Sequence, residues 1–179
     1  SIEVSKLVKS SSRTIVSTDS EEIANIAKCY GAEVPFIRPK NLSQDNSKIS
    51  DVLLHALDWY KTNYQTLPEN IMLLQPTSPF RTSIHIDAAV ELLVKRNSSA
   101  IISVTKAINN PLWVNTIPEN GSMDNFLQEN YKNKSSQDLP TFYEANGAIY
   151  LINSRKILEE NTFFLKKGVF SYEMDRISS

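Results

Sequence analysis

The hydrophobic residues of this chain form short continuous runs that alternate with spaced stripes, a pattern that predicts strands and helices in turn. Stripes with helical spacing cover 21–30, 50–60 and 83–93, and a shorter one opens the chain. Continuous apolar runs of strand length lie at 14–17, 34–37, 71–74, 100–104, 148–152 and 169–174. Repeated alternation of this kind is typical of an α/β protein, so we predict a doubly wound, mostly parallel sheet flanked by helices.

The run Ile71–Leu74 is predicted to lie at the centre of the sheet. Four apolar residues without alternation indicate a strand that is buried on both faces among parallel neighbours. Gln75 follows at the carboxyl end of this strand, and Pro76 and Pro79 then take the chain out of the sheet. Ligands of open α/β sheets bind at the carboxyl ends of strands. The pattern alone leaves two readings open for Gln75, a ligand-binding amide or a side chain that satisfies its own loop.

Polar residues that precede the helical stripes are the predicted N-caps. In chain order the candidates are Asp19 or Ser20, Ser50, Thr82 or Ser83, and Asn153. The first of these helices is predicted to bury an apolar face made of Ile23, Ile26, Ala27 and Tyr30.

The segment 109–138 interrupts the alternation, because it is polar and carries only short apolar pairs. Long stretches without regular structure inside a compact domain are usually functional. We predict a hairpin near Trp113–Ile117 and an arm that leaves the body of a single domain, 1–179. Aromatic residues on such an arm favour a protein interface, so the arm predicts a homodimer; they are Trp113, Phe126 and Tyr131.

Composition narrows the classes of partner. A formal net charge of -1 gives no electrostatic reason to expect nucleic acid or an anionic membrane as a partner. No apolar run approaches the roughly 18 residues of a membrane span. Cys29 is the single cysteine, which excludes an internal disulfide framework and fits a reducing compartment, so we expect a cytoplasmic protein. Two histidines and one cysteine argue against a zinc site.

Four motifs, in order, resemble those of the acylneuraminate cytidylyltransferases, or CMP-N-acetylneuraminic acid synthetases. Leu73–Arg81 is similar to the family signature LLQPTSPLR, and the other three are Ile15–Asp19, Arg38-Pro39 with Asp45, and Asn146–Tyr150. The resemblance covers nearly the whole chain. It implies a glycosyltransferase-A-like nucleotidyltransferase fold and a transferase that uses CTP to activate a sialic acid or related nonulosonic acid, with release of pyrophosphate.

The resemblance also implies site residues. Arg38 matches the arginine that contacts the cytidine nucleotide, a role suited to a guanidinium that pairs with phosphate or a base edge. Ser47 and Ser50 lie where the family reads the cytosine ring, although Ser50 fits a plain N-cap better. Gln75 matches the glutamine that binds the acceptor sugar. The pocket for the sugar's N-acyl group, formed partly by a partner subunit, is matched by Tyr150, Phe163 and Phe164.

One departure from the family pattern lies before Gln137. The family usually has arginines there that meet anionic groups, whereas this chain has Lys132, Lys134, Ser135 and Ser136. A lysine ammonium acts as a point charge, whereas the planar guanidinium of an arginine can donate two parallel hydrogen bonds to one anionic group. The choice of nonulosonic acid and the way its carboxylate is held are therefore left open.

The family pattern extends beyond both ends of the chain. A glycine-rich loop that cradles the CTP phosphates would precede Ser1, and an Asp-x-Asp pair for Mg²⁺ would follow Ser179. We therefore expect the segment, with only 4 glycines, to be truncated at both ends and inactive by itself. Two alternatives remain, a nucleotidyltransferase for another keto-acid sugar, such as an eight-carbon one, and a noncatalytic dimeric binding module of the same fold.

Overall fold

The computed structural model describes residues 1–179 and consists of a four-stranded sheet with helices against both of its faces. The helices are α1 (Ile2–Lys6), α2 (Glu21–Cys29), α3 (Ile49–Tyr64), α4 (Ser83–Arg96) and α5 (Ser154–Glu160). The strands are β1 (Asn70–Leu73), β2 (Ala100–Lys106), β3 (Tyr143–Asn153) and β4 (Val169–Glu173). The predicted α/β class is confirmed. None of the helices is both long and apolar enough to cross a membrane.

The strand order is β1-β3-β2-β4, and the sheet is mixed. β3 is antiparallel to both of its neighbours, and β4 is parallel to β2, so three strands share one direction. The prediction that Ile71–Leu74 lies in the middle of a parallel sheet is wrong, because β1 is a half-buried edge strand that pairs with β3 alone. The connection from β2 to β3 contains no crossover helix, and without one the next strand returns antiparallel.

The sheet is covered on both faces, as the doubly wound prediction requires. Along β3, Ile149 and Leu151 pack into a cluster with α4, whereas Tyr150 and Ile152 pack into a second cluster with α3 and α5. Alternate residues of a strand point to opposite faces, so this one strand supplies both cores. The buried strand predicted at 100–104 is confirmed, since Ala100 and Ile101 have no exposed surface.

The segments 14–17 and 34–37 are not strands of the sheet, contrary to the prediction. A single parallel bridge, Ile15 to Glu33, joins this part of the chain. The backbone N–H of Val16 donates to the Glu33 carbonyl at 2.9 Å, and that of Glu33 donates to the Thr14 carbonyl at 2.8 Å. These bonds hold the two segments side by side without extending the sheet.

The predicted buried face of α2 is also wrong in part. Ala24 and Ala27 are buried, whereas Ile23, Ile26 and Tyr30 are each more than half exposed. The helix therefore packs through its small residues, because alanines allow closer approach than the bulky residues beside them. Helical periodicity identified the helix and not the face that packs.

Most of the predicted N-caps are confirmed. Ser20 accepts from the backbone of Ile23, Thr82 caps α4, and Asn153 accepts from the first turn of α5. Ser50 is not an N-cap, because α3 begins after Lys48 and Ser50 is a buried residue of its first turn.

The arm, residues 109–138, contains three short 3-10 turns and no hairpin, so the predicted hairpin near Trp113–Ile117 is wrong. The turns lie at Pro111–Trp113, Glu129–Tyr131 and Ser136–Asp138. The arm exposes apolar side chains, namely Trp113, Val114, Ile117 and Met123.

Candidate functional site

The candidate site lies at one end of the strands, where the last residues of β1, β2 and β4 meet the first residues of β3. We call this side of the sheet the site edge. The register places Leu73 of β1 opposite Tyr150 of β3, so Gln75, two residues on, comes beside Ala148. Lys106 at the end of β2 pairs with Tyr143 at the start of β3. The loop that carries Gln75 and the first half of β3 thus share this edge.

Gln75 lies directly against Gly147. A Cβ added to Gly147 would overlap Oε1 of Gln75, and the φ angle of +76° at Gly147 is one that other L-residues rarely adopt. The position therefore admits the amide of Gln75 only because residue 147 has no side chain.

Gly147 lies within an irregularity of the sheet. Ile102 pairs with Tyr150, and Val104 pairs with Ala145. The single residue Ser103 of β2 therefore lies opposite residues 146–149 of β3, which form a bulge. The Ser103 hydroxyl occupies the gap, accepting from the Ile149 N–H at 2.7 Å and donating to Oδ1 of Asn146 at 2.6 Å. Sequence reasoning missed Ser103, although a polar residue inside a buried apolar run is the signal that could have identified it.

Arg81 is the second site residue that sequence reasoning left without a role. Its side chain is fully buried, with 2% of the residue exposed. Nη1 donates to the carbonyl oxygens of Ala148 at 2.6 Å and Gln75 at 3.3 Å, and Nη2 donates to the Ser1 hydroxyl at 2.7 Å. Burial lowers the pKa of the Arg81 guanidinium, which as an arginine stays protonated at neutral pH.

The three aromatic residues predicted for the sugar pocket form one cluster. The Tyr150 ring meets Phe163 edge-on at 5.1 Å and Phe164 at 6.0 Å, and the two phenylalanine rings are 4.6 Å apart. Tyr150 is buried, and this burial raises the pKa of its phenol. Phe164 is 53% exposed, so the cluster combines an anchored tyrosine with an aromatic surface that faces outward.

Arg38 is held by a second set of polar contacts. Its Nη2 lies 3.4 Å from Oδ1 of Asp19, and its Nε donates to the Ser43 hydroxyl at 3.0 Å. Its backbone N–H donates to the Thr18 carbonyl at 2.8 Å. The motif Ile15–Asp19 and the Arg38 loop, which the resemblance named separately, are therefore in direct contact.

The two predicted serines have different surroundings. The Ser47 hydroxyl accepts from the Gln44 N–H at 2.9 Å and donates to the Asn41 carbonyl at 3.3 Å, so it shapes the loop that follows Arg38. Ser50 is buried at the start of α3. No hydrogen bond joins Arg38 to either serine, and none joins these three residues to Gln75. The helix that carries Ser50 reaches the Tyr150 cluster through Leu57.

The arm residues at the positions of the family's arginines contact other residues of the arm. Lys132 pairs with Glu129, and the Lys134 ammonium lies 5.4 Å from the Tyr131 ring centroid. The Ser135 hydroxyl donates to Asp138 at 2.8 Å, and this bond lowers the pKa of the Asp138 carboxyl. These side chains hold the turns of the arm.

Residues 1–179 contain no ready-made cluster of metal-binding side chains. No three side chains among the acids, histidines and cysteines lie close enough together to hold an ion. Asp175, which follows β4 at this edge, accepts the N–H groups of Ile177 and Ser178 at 2.9 Å each. These bonds, led by those from Ser178, lower the pKa of the Asp175 carboxyl.

The fold resembles that of a solved synthetase. A structure of CMP:2-keto-3-deoxy-manno-octonic acid synthetase complexed with CTP superposes with a TM-score of 0.62 at 10% sequence identity. The match covers 97% of this chain and 77% of that one. At this identity the likeness concerns the fold alone.

Several curated proteins are similar in sequence. The chain is 32% identical over 156 residues to the CMP-N,N'-diacetyllegionaminic acid synthase of Legionella pneumophila, with coverage of 84% of this chain and 63% of that one. It is 36% identical to the N-acylneuraminate cytidylyltransferase of Escherichia coli O18:K1:H7, with coverage of 93% and 38%. For the pseudaminic acid cytidylyltransferase of Campylobacter jejuni, the identity is 31% and the coverage 84% and 64%. The chain thus spans less than two thirds of the length of these relatives.

A sequence model described as cytidylyltransferase matches residues 1–177. This match covers almost the full chain and includes the Gln75 loop, the Arg38 loop and the Asn146–Tyr150 strand. The chain therefore belongs to the cytidylyltransferase family.

Proposed function

We propose that the protein activates a nonulosonic acid, a sialic acid or a close relative, with CTP. The anomeric hydroxyl oxygen of the sugar attacks the α-phosphorus of CTP and forms the new P–O bond, while the O–H bond breaks and its proton passes to water. The bond from the α-phosphorus to the bridging oxygen breaks, and pyrophosphate leaves with that electron pair. The products are the CMP-sugar and pyrophosphate. The observation that carries the proposal is the contact of Gln75 with Gly147 at the end of β1, in a chain of this family.

On the nucleotide side, we assign CTP to Arg38 and the loop that follows it. The Asp19 carboxylate and the Ser43 hydroxyl hold the guanidinium through Nη2 and Nε, which leaves Nη1 available for phosphate or a base edge. The Ser47 hydroxyl holds the backbone of the same loop through its hydrogen bond to the Asn41 carbonyl. We assign Ser50 to the nucleotide side as well, where its buried side chain fixes the first turn of α3. Binding and orientation of the two substrates supply most of the rate in such a transfer.

On the sugar side, we assign the acceptor to Gln75 and the aromatic cluster of Tyr150, Phe163 and Phe164. The Gln75 amide offers two donors and one acceptor to a polyhydroxylated ligand. The aromatic surface suits an N-acyl group, since a methyl or amide face packs on a ring. The three curated relatives named above are called synthases or cytidylyltransferases of legionaminic, acylneuraminic and pseudaminic acids. Those names support this class of acceptor.

The proposal includes Mg²⁺, which would neutralise charge on the triphosphate, and a homodimer built through the arm. It also includes a cytoplasmic location. The exposed apolar residues of the arm support the dimer, because aromatic residues and methionine are enriched at protein interfaces and both types are exposed on the arm.

The test is a product assay on the complete protein that carries this chain. CTP, Mg²⁺ and, in turn, N-acetylneuraminic, legionaminic, pseudaminic and eight-carbon keto-deoxy acids are supplied. Mass spectrometry then detects the CMP-sugar, and a coupled assay measures pyrophosphate. Turnover of N-acetylneuraminic, legionaminic or pseudaminic acid supports the proposal. Turnover of the eight-carbon acid alone contradicts the acceptor class. Binding of CTP without product for any acid favours the noncatalytic module.

A further inference from the structure

The buried guanidinium of Arg81 lacks a counter-ion. No carboxylate lies within ion-pair distance of it, and its Nε has no hydrogen-bond partner. Burying an arginine without an acid destabilises a fold, and a well-packed apolar residue is often at least as good for stability. Within residues 1–179, the acceptors of Arg81 are two backbone carbonyl oxygens and the Ser1 hydroxyl, so its role depends on what those acceptors position.

The Arg81 contacts are concentrated on the two segments that frame the Gln75 amide. The β1–β3 ladder ends at Leu73 and Tyr150. Beyond that pair, Nη1 of Arg81 bridges the carbonyl of Gln75 at 3.3 Å and that of Ala148 at 2.6 Å. The guanidinium thus continues the connection between the two strands where their own hydrogen bonds stop.

The same bridge fixes the surroundings of the Gln75 side chain. Ala148 follows Gly147, the residue against which Oε1 of Gln75 packs. One guanidinium therefore holds the backbone that carries the amide and the backbone that the amide touches. A planar guanidinium with fixed donor directions can hold two backbone carbonyl groups at a set separation, whereas a flexible lysine ammonium would hold them less rigidly.

We propose that Arg81 is a positioning residue that holds Gln75 in place for the acceptor sugar. The inference rests on the proposed function. It adds a residue that does not touch the substrate and acts only through Gln75. Displacing a positioned group by about 1 Å costs up to roughly a hundredfold in rate, so loosening the bridge has a measurable effect.

The test is a double-mutant cycle in the complete protein with Arg81→Lys, Gln75→Ala and the double variant. The control is Arg96→Lys, at the exposed end of α4. KM and kcat are measured for CTP and for the sugar acid separately. Arg81→Lys is expected to raise KM for the acid roughly tenfold with KM for CTP within about twofold. In the Gln75→Ala background, the same substitution is expected to change KM for the acid less than about twofold.

Two results overturn the inference while leaving the proposed function intact. One is a full, additive effect of Arg81→Lys in the Gln75→Ala background, and the other is an equal rise in both KM values. An inactive wild-type protein overturns the proposed function instead.

A variant that fails to fold does not remove the test. Arg81→Gln, which puts no charge in the interior, then replaces Arg81→Lys in the cycle. The wild-type protein labelled with ¹⁵N also gives a measurement without substitution. On saturation with the sugar acid, the Gln75 side-chain amide and the Arg81 guanidinium resonances are expected to shift together while the Arg96 guanidinium resonance stays. A shift of the Gln75 amide with no change at Arg81 overturns the inference.

Discussion

The amide of Gln75 packs on the bare backbone of Gly147, and a side chain at residue 147 would overlap Oε1 of Gln75. The contact joins the loop after β1 to the bulged part of β3. The position of the Gln75 amide therefore depends on the absence of a side chain at residue 147.

Gly147→Ala is expected to lower the free energy of unfolding by about 1–2 kcal/mol, because a Cβ strains the positive φ, and to raise KM for the sugar acid, because the Cβ displaces Oε1 of Gln75. Chemical denaturation and steady-state kinetics measure the two effects. Gly121→Ala is the matched control, since Gly121 has a φ of +72° and nothing within 4 Å of an added Cβ. If the two variants lose equal stability and neither changes KM for the sugar acid, the contact between Gly147 and Gln75 does not contribute to sugar binding.

Gln75→Ala in the complete protein is expected to impair use of the sugar about tenfold or more while CTP binding changes little. The reason is that a sugar hydroxyl left unpaired in a desolvated site costs roughly 1–3 kcal/mol. Arg38→Ala is expected to weaken CTP first. Kinetics with each substrate varied separately measure the split, and Arg96→Ala is the control for loss of an exposed arginine. An identical pattern for both variants would contradict the division into nucleotide and sugar sides.

Asp19→Asn is expected to raise KM for CTP by no more than about fivefold, because the Asp19–Arg38 pair is partly exposed and such pairs contribute roughly 0.2–1 kcal/mol. The effect should disappear in an Arg38→Ala background. Glu33→Gln, which breaks the nearby Arg13–Glu33 pair at 3.4 Å, serves as the control and should leave KM for CTP unchanged. An Asp19 effect that persists without Arg38 would show that the carboxylate acts on the nucleotide by another route.

The arm is expected to form a homodimer interface, which Ile117→Glu should disrupt by placing a charge among its exposed apolar residues. Sedimentation velocity at micromolar concentration measures the change from dimer to monomer. Val94→Glu is the control, because Val94 is 71% exposed on α4, outside the arm. A wild-type protein that sediments as a monomer would exclude this role for the arm.

Tyr150 is expected to make the protein less stable at alkaline pH. Burial raises the pKa of its phenol in the folded state, so the unfolded chain loses this proton first. The contribution of Tyr150 to stability is therefore full below the unfolded pKa of about 10 and declines as pH rises through the folded value. Denaturation at neutral pH and near pH 10.5 should show a smaller alkaline loss for Tyr150→Phe than for the wild type. Tyr143→Phe, at the exposed start of β3, is the control and should retain the wild-type loss.

The α/β class, most of the helices and strands, and the motifs that place the chain in its family can be predicted from the amino-acid sequence. Apolar runs and stripes are local signals, so they predict the buried strand Ala100–Val104 and N-caps at Asp19 or Ser20, at Thr82 or Ser83, and at Asn153. The structure confirms the strand and selects Ser20, Thr82 and Asn153 as caps. Gln75 was named from its motif and its place after a strand. Its role in binding stays a prediction.

Which helices and strands are neighbours became known from the folded structure. Local pattern carries no information on strand order, so β1 was predicted in the middle of the sheet and lies at its edge. The stripe of α2 likewise did not reveal that Ala24 and Ala27 would pack while Ile23 and Ile26 stayed exposed. The bridge from Arg81 to Gln75 and Ala148 joins residues up to 67 positions apart. Such contacts exist only once β3 has folded back beside β1, because pairing between distant segments is a property of the packed chain.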